Sequence, residues 1–338
     1  MKNLSFVDKI LFIINNLMAF SLVLSYFLPY FSPEKYEKIA IISLIVPLLI
    51  FVNVAFALFW MIKFKKQFIV SVFVLLIGFK YVNSLYKIAD DEVEIENSGV
   101  SIMNYNVRMF NLYQWIDDKT MNSKIISFIK TENPDILCLQ EYHASEKKNI
   151  AYPYNYIKTN QDRSKIGQAI FSKYKIINSG SLNFEFSGNN AIFADIVIKM
   201  DTIRVYNIHL ESLKINPLKE NFGEKDSDHL RRRFEKAFKK QVAQTNLILE
   251  HQKQSPYKTI ISGDFNNTQF SWVYREMKKG KKDAFEEHGS GFGKTFNYPF
   301  PLRIDYLLID ETIEINQFKT YNIKYSDHFP IIAQFQIN

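Results

Sequence analysis

Ser262-Gly263-Asp264-Phe265-Asn266-Asn267-Thr268, SGDFNNT, follows directly on the apolar run YKTII, residues 257–261. A β-branched run that enters a Gly-Asp turn reads as a buried strand ending on a carboxylate and two amides. Gly263 lets the backbone come close where a side chain would intrude. The same arrangement recurs along the chain, because polar groups stand where strand-like runs stop. Asn106 follows IMNY, Gln140-Glu141 follows DILCL and His209 follows RVYNI. Asp264 and Asn266 follow KTIIS, Asp305 lies within RIDYLLI, and Asp327-His328 form the SDH of SDHFP. One such residue is an ordinary turn cap. Six sites in one region point to loops gathered where a rigid sheet ends.

The strand-like runs are VSIMNYNV, DILCLQE, GQAIFS, AIFADIVIKM, TIRVYNIHL, KTIISGD, RIDYLLI and FPIIAQFQI. Only NSKIISFIKTEN (122–133) and HLRRRFEKAFKKQVAQTNLILEHQKQ (229–254) carry apolar residues at helical spacing. Strands in such excess predict an α/β fold, a two-sheet sandwich with helices outside. Residues 212–228 lack periodicity and read as a surface loop near the site. The glycine-rich GSGFGKT (289–295) lacks P-loop spacing and a preceding strand, and also reads as a loop near the site.

The N-terminal quarter is different in kind. Ile10–Phe31 is 22 residues without a charge and Ile39–Ile62 is 24. Each, as a helix, exceeds the roughly 30 Å of a hydrocarbon core. A third run, 67–86, is interrupted by Lys80, which can snorkel to an interface beside Tyr81 and Tyr86. About three membrane spans are therefore expected within an anchor of residues 1–89. The acidic stretch 90–99 is then a linker, and 100–338 a catalytic domain.

Charge supports the division. Residues 1–89 hold nine lysines and three acids, a balance of +6 out of the total of +7. The remainder carries 33 basic and 32 acidic residues, so its overall charge does not mark it as a nucleic-acid binder. Lys2, Lys9, Lys63, Lys65 and Lys66 share one side of a three-span bundle, against Lys35, Lys38 and Lys87 on the other. The positive-inside rule then sets a multi-pass protein in the inner (plasma) membrane, with the domain on the outer, periplasmic face; if the third run does not cross, the domain shares a side with the N-terminus. The bilayer is its expected partner, and no obligate protein partner is inferred. A basic stripe, Arg231-Arg232-Arg233 with Lys236, Lys239 and Lys240, reads as a solvated helix face. Contact with an anionic lipid surface or a polyanionic substrate is the alternative. Cys138, the one cysteine, reads as a buried strand thiol and excludes an intramolecular disulfide.

The polar set has a definite chemistry. Asp, Glu and Asn without a cysteine cluster make a hard oxygen-donor site suited to Mg²⁺ or Mn²⁺. Such ions stabilise charge on a transferring phosphoryl group, and an Asp beside an Asn can orient and deprotonate water. Those are the parts of a metal-dependent phosphoesterase.

The ordered series NYNVR, PDILCLQE, NIHLES, GDFNN, RIDYLL and SDHFP resembles the endonuclease/exonuclease/phosphatase superfamily, the DNase I-like enzymes, over about residues 100–338. Membrane-anchored bacterial members have a similar arrangement. The resemblance implies a four-layer sandwich and hydrolysis of phosphate esters. It implies metal binding by Asn106, Glu141 and Asp327, and activation of water by Asp264 with help from Asn266. By the same resemblance His328 contacts the scissile phosphate, Asp305 orients it, and His209 contacts phosphate or leaving group. Superfamily membership does not fix the substrate. Lipid or envelope phosphoesters are expected from the anchor; a nuclease acting on DNA or RNA and a non-catalytic interaction module are the rival readings.

Overall fold

A computed structural model of the chain describes residues 4–88, 99–159, 165–214 and 224–337. The expected linker lies outside the described residues except for Gly99. Helices α1 (Phe6–Ser25), α2 (Glu37–Ala40), α3 (Val46–Ile62), α4 (Phe68–Ile77) and α5 (Phe79–Leu85) form an N-terminal bundle. Ser5 Oγ caps α1 by accepting from the Asp8 amide at 3.1 Å. A 3₁₀ stretch, Ile41–Ile45, joins α2 to α3 as one rod. Among the described residues two helical stretches are long and apolar enough to cross a membrane: Phe6–Tyr30, 25 residues with mean hydropathy 2.0, and Glu37–Ile62, 26 residues with mean hydropathy 2.8.

The expected third span is helical but not straight. It bends by 81° between α4 and α5, at Gly78, where an added Cβ would lie 2.0 Å from the Tyr26 ring. The ten residues of α4 cover only about 15 Å as a helix. Buried amides tie the bundle together. Asn15 accepts from Trp60 Nε1 at 3.0 Å and donates to Ser71 Oγ at 2.6 Å, and Tyr26 Oη donates to Val74 O at 3.0 Å. Such bonds would hold helices together where lipid tails remove the hydrophobic drive. They also show α4 lying along α1.

Among the described residues twelve strands, numbered along the chain, form two six-stranded sheets. The first runs β11 (Glu314–Thr320), β12 (Ile331–Gln336), β1 (Val100–Asn106), β2 (Ile136–His143), β4 (Ile166–Ser172), β3 (Tyr154–Thr159). The second runs β5 (Ile176–Ser181), β6 (Ala191–Ile198), β7 (Asp201–His209), β8 (Lys258–Asp264), β10 (Asp305–Asp310), β9 (Lys281–Asp283). Ile102, Ile136 and Cys138 of the first sheet share one buried core with Val205, Ile260 and Leu307 of the second. Helix α6 (Met121–Glu132) packs Ile125, Ile126 and Ile129 on Met103, Leu137 and Leu139. On the opposite side α7 (Glu224–Lys253) and α8 (Trp272–Lys278) set Ile248, Val273 and Met277 against Tyr206, Ile261 and Leu308. A five-residue helix, α9 (Ala284–His288), packs beside β11. The order helix, sheet, sheet, helix is the four-layer sandwich expected from the sequence. Helix α7 begins at Glu224, so it takes in the end of the expected loop 212–228, of which 215–223 lie outside the described residues.

Register gathers the polar strand ends. Parallel β1 and β2 pair Asn106 with Gln140, and parallel β7 and β8 pair His209 with Asp264. Antiparallel β10 begins where β8 ends, pairing Asp305 with Asp264. Gly263 makes the β7–β8 contact possible: its φ is 154°, and a Cβ there would lie 2.0 Å from Ile208 O. Gly263→Ala is therefore expected to destabilise the protein by about 3 kcal/mol, since neither backbone can yield without breaking the ladder. Thermal melting of the full chain in detergent checks this, and an unchanged midpoint would refute it.

The bundle docks on the sandwich through one end only. Thr268 Oγ1 donates to Ser43 O at 3.3 Å, and Ser84 O accepts from Gln269 Nε2 at 3.2 Å and from buried Arg303 at 3.3 Å. Phe270 is buried among Leu22, Leu28 and Leu49, and Arg275 lies 4.3 Å from the Tyr30 ring. The other end of the bundle is closed by Lys63 and Asp8 at 2.5 Å.

Candidate active site

Along five inner strands the buried face changes from apolar to polar in steps of two residues, the period of a pleated strand. Strand β1 reads Ile102, Asn104, Asn106; β2 reads Ile136, Cys138, Gln140; β7 reads Val205, Asn207, His209; β8 reads Ile260, Ser262, Asp264. Antiparallel β10 reads Leu307 then Asp305. The middle layer is a hydrogen-bonded network. Gln140 Nε2 donates to Asn104 Oδ1 and Asn207 Oδ1, each at 2.7 Å, and Ser262 Oγ donates to Asn104 Oδ1 at 2.9 Å. Asn207 Nδ2 donates to Leu139 O and Ala169 O, both at 2.9 Å. These bonds tie the two sheets together and fix the strand ends above them, while buried Gln140 Oε1 has no partner among the described residues.

On this floor stand the eight residues singled out in the sequence. Asp264 Oδ2 accepts from Asn106 Nδ2 at 3.1 Å, and its Oδ1 accepts from the Asn266 amide at 2.8 Å. The same Oδ2 lies 3.5 Å from His209 Nε2 and 3.6 Å from His328 Nε2. His328 Nδ1 is 2.9 Å from Asp305 Oδ2, so Asp305 fixes the ring. Asp305 is itself held by Thr295 Oγ1, which accepts from its amide at 3.0 Å. Asn266, at φ 48°, turns its side chain back to donate to Leu210 O at 3.0 Å. Glu141 follows Gln140 at a register shift in the β2–β4 pairing and has φ 49°. The irregularity turns Glu141 towards the cavity while Gln140 stays in the layer below. Asn106 Nδ2 reaches Glu141 Oε1 at 3.4 Å. Asp327 pairs with Arg108 at 3.2 Å, and Arg108 lies 4.6 Å from the Trp115 ring.

Glu141, His209, Asp264, Asn266, Asp327 and His328 line a cavity of about 130 Å³; Asn106 and Asp305 touch it through Asp264 and His328. Burial governs its charges. It lifts the Glu141 carboxyl above the usual range, helped by the charge of Asp327. It lifts Asp264 up to about 7 and pushes His209 down to about 3, leaving His209 neutral. Burial opposes the charge on His328 too, but the carboxylates of Asp305 and Asp264 outweigh it and hold the imidazolium well above its ordinary range.

The donors suit a hard cation. Glu141 and Asp264 converge on one amide, with Asp327 near enough to disfavour a second charge on Glu141. Two carboxylates that buried and that close call for a compensating positive charge. Asp264, Asp305 and His328 also bring ligand atoms within 4.8 Å of one another. There Asp305 and His328 already engage each other at 2.9 Å.

Sequence reasoning picked out Gln140 but missed its middle-layer partners Asn104, Asn207 and Ser262, and also Arg108 and Thr295. The signal for the layer was present: Asn104, Asn207 and Ser262 each stand two residues before a singled-out residue on the same strand.

Residues 103–328 match the family described as Endonuclease/Exonuclease/phosphatase family, and residues 8–85 match a domain of unknown function. Solved structures share the fold at low identity. Humanized D. rerio TDP2 matches with TM-score 0.55 and 17% identity, over 71% of this chain and 100% of that one. The Bacteroides thetaiotaomicron mannosyl-6-phosphatase matches with TM-score 0.51 and 17% identity, over 70% and 100%. The human Nocturnin catalytic domain with bound sulfate matches with TM-score 0.52 and 17% identity, over 72% and 95%. No curated protein matches the chain.

Proposed function

The chain belongs to the Endonuclease/Exonuclease/phosphatase family, and on that premise we propose that it is a membrane-anchored phosphoesterase acting on lipid or envelope phosphoesters. It is a hydrolase of phosphate ester bonds, with a site fit for a divalent cation. In our reading Asn106, Glu141 and Asp327 hold Mg²⁺ or Mn²⁺, which when bound stabilises charge on the phosphoryl oxygens. Asp264 accepts the proton of the attacking water, and Asn266 positions that water against the phosphorus. His328, held by Asp305, donates to a phosphoryl oxygen, and His209 contacts phosphate or leaving group from the other side of Asp264.

The observation that carries the lipid reading is the cavity wall. Leu44, from the apolar rod Glu37–Ile62, lines the same cavity as Asp264 and His328, together with Leu213, Phe296 and Leu302. A phosphoester borne by an apolar tail finds both halves of its chemistry at one mouth. Orientation has support as well. The lysine-rich loop 63–66 lies at the end of the bundle away from the sandwich, and α4 brings the chain back to the sandwich end, with α5 laid across it. With the bent pair α4–α5 counted as a third crossing, the positive-inside rule sets the catalytic domain outward from the plasma membrane. Much of the basic stripe on α7 is engaged within the chain: Arg231 pairs with Asp228, Lys239 with Glu37 and Lys240 with Glu211. That weakens it as a nucleic-acid track.

The test uses the full chain in nanodiscs with Mg²⁺. Phospholipid in the disc is expected to be cleaved faster than single- or double-stranded DNA. Leu44→Asp should lower lipid cleavage about tenfold, by placing an unpaired charge in an apolar entry, while turnover of bis(p-nitrophenyl) phosphate stays within about twofold. Faster cleavage of DNA, with a steep salt dependence, would decide for a nuclease instead.

A further inference from the structure

The glycine-rich loop Gly289–Phe300 lies between the apolar bundle and the catalytic cavity. Its Phe292 ring is 5.5 Å from Phe51 and 4.8 Å from Tyr86, and Phe300 is 5.3 Å from Phe51. Lys87 and Gly291 exchange backbone hydrogen bonds at 2.9 and 2.8 Å. Phe51 sits inside the apolar rod Glu37–Ile62, so the aromatic part of the loop reaches the depth at which a bilayer surface would lie. Rings of this kind favour that interface.

Behind Phe292 opens a second cavity, about 540 Å³, distinct from the catalytic one. Lys294 and Lys324 both line it, with Ser290, Asn297 and Asn322. Lys294 donates to Tyr298 O at 2.7 Å, and neither lysine pairs with a carboxylate among the described residues. Burial and the nearby charge of Lys324 draw the Lys294 pKa below its ordinary value. Two ammonium groups on one cavity repel, and an anion bound beside them offsets both charges.

We propose that this cavity binds the phosphate headgroup of an anionic phospholipid drawn from the bilayer around the apolar helices. Hydroxyl and amide groups beside the lysines supply the remaining donors for a phosphodiester, and Phe292 sets the site at headgroup depth. Occupancy bears on catalysis through the same loop. The Phe296 ring lies 5.1 Å from that of His328, the Asn297 amide donates to Asp327 O at 2.7 Å, and the Phe329 amide donates to Thr295 O at 2.7 Å. A headgroup on Lys294 therefore holds in place the backbone that carries Asp327 and His328.

The inference rests on the membrane half of the proposed function, and the test separates the two. The full chain is first inserted into neutral phosphatidylcholine nanodiscs; failure to insert would sink the membrane reading itself. Native mass spectrometry then measures retained phosphatidylglycerol against phosphatidylcholine. K294Q/K324Q should weaken phosphatidylglycerol retention about tenfold, leave phosphatidylcholine retention unchanged, and melt at the wild-type temperature, while K294R/K324R retains the lipid. Equal phosphatidylglycerol retention by wild type and K294Q/K324Q would overturn the site. Displacement of the lipid by excess inorganic phosphate, lost in K294Q/K324Q, would assign the cavity to a free anion and overturn the lipid.

Discussion

Asp264→Asn lowers kcat by about 10³-fold or more on any phosphoester the chain hydrolyses, and it does so without unfolding the protein. Asparagine fills the same volume and still accepts from the Asn266 amide, which now reaches Asp264 Oδ1 at 2.8 Å. It cannot take a proton from water, and it removes the charge that both His209 and His328 face at 3.5 and 3.6 Å. The stability sign is opposite to the activity sign. Burial raises the folded-state pKa of Asp264 from 3.8 to about 7, so the folded protein binds this proton more tightly than the unfolded chain does. The stability from this group is fully present below the unfolded value of 3.8 and is lost as pH rises to about 7. Without divalent ions at pH 8, D264N should thus melt at or above the wild-type temperature. Activity within tenfold of wild type would remove Asp264 from the chemistry. A lower melting temperature would show the carboxylate to be structural.

That trade also explains what the sequence made legible. Functional residues broke the apolar pattern where the strands end, so Asn106, His209, Asp264 and Asp305 stood out. The layer below them did not, because Asn104, Asn207 and Ser262 lie inside otherwise apolar runs and look like tolerated polar residues. Their meaning depends on partners from other strands, such as Gln140 between Asn104 and Asn207.

The strands missed in the sequence follow a single rule. All eight strand-like runs are strands in the structure, and the four others, β3, β5, β9 and β11, are the four edges of the two sheets. An edge strand packs on one neighbour and meets solvent on the other side, so YNYIKT, IINSGS, KKD and EINQFKT need no apolar run. The bend at Gly78 was hidden for a related reason. Composition measures whether a segment tolerates lipid, and both arms of 67–86 do. Only the Tyr26 ring, packed where a Cβ would be, sets the break.

Glu141→Gln separates the two donor sets available to a cation. In the wild type, Mg²⁺ at about 100 times its Kd should stabilise the fold by about 2.7 kcal/mol, read as a rise in melting temperature. Glu141 is a strong candidate for that effect because burial and Asp327 already disfavour its charge, and an ion between them removes the penalty. Glutamine keeps the contact with Asn106 Nδ2, now 3.4 Å from Oε1, but carries no charge. E141Q should therefore lose most of the Mg²⁺ shift, together with about 10³-fold in kcat, and should melt no lower than wild type in the ion-free state. Asp305→Asn gives the complementary result. Asp305 faces His328 at 2.9 Å, so D305N should impair turnover through a misoriented imidazole while keeping the Mg²⁺ shift. The reverse pattern, with the shift intact in E141Q and lost in D305N, would place the ion among Asp264, Asp305 and His328. His328 would then be a ligand, with no proton to offer the phosphate.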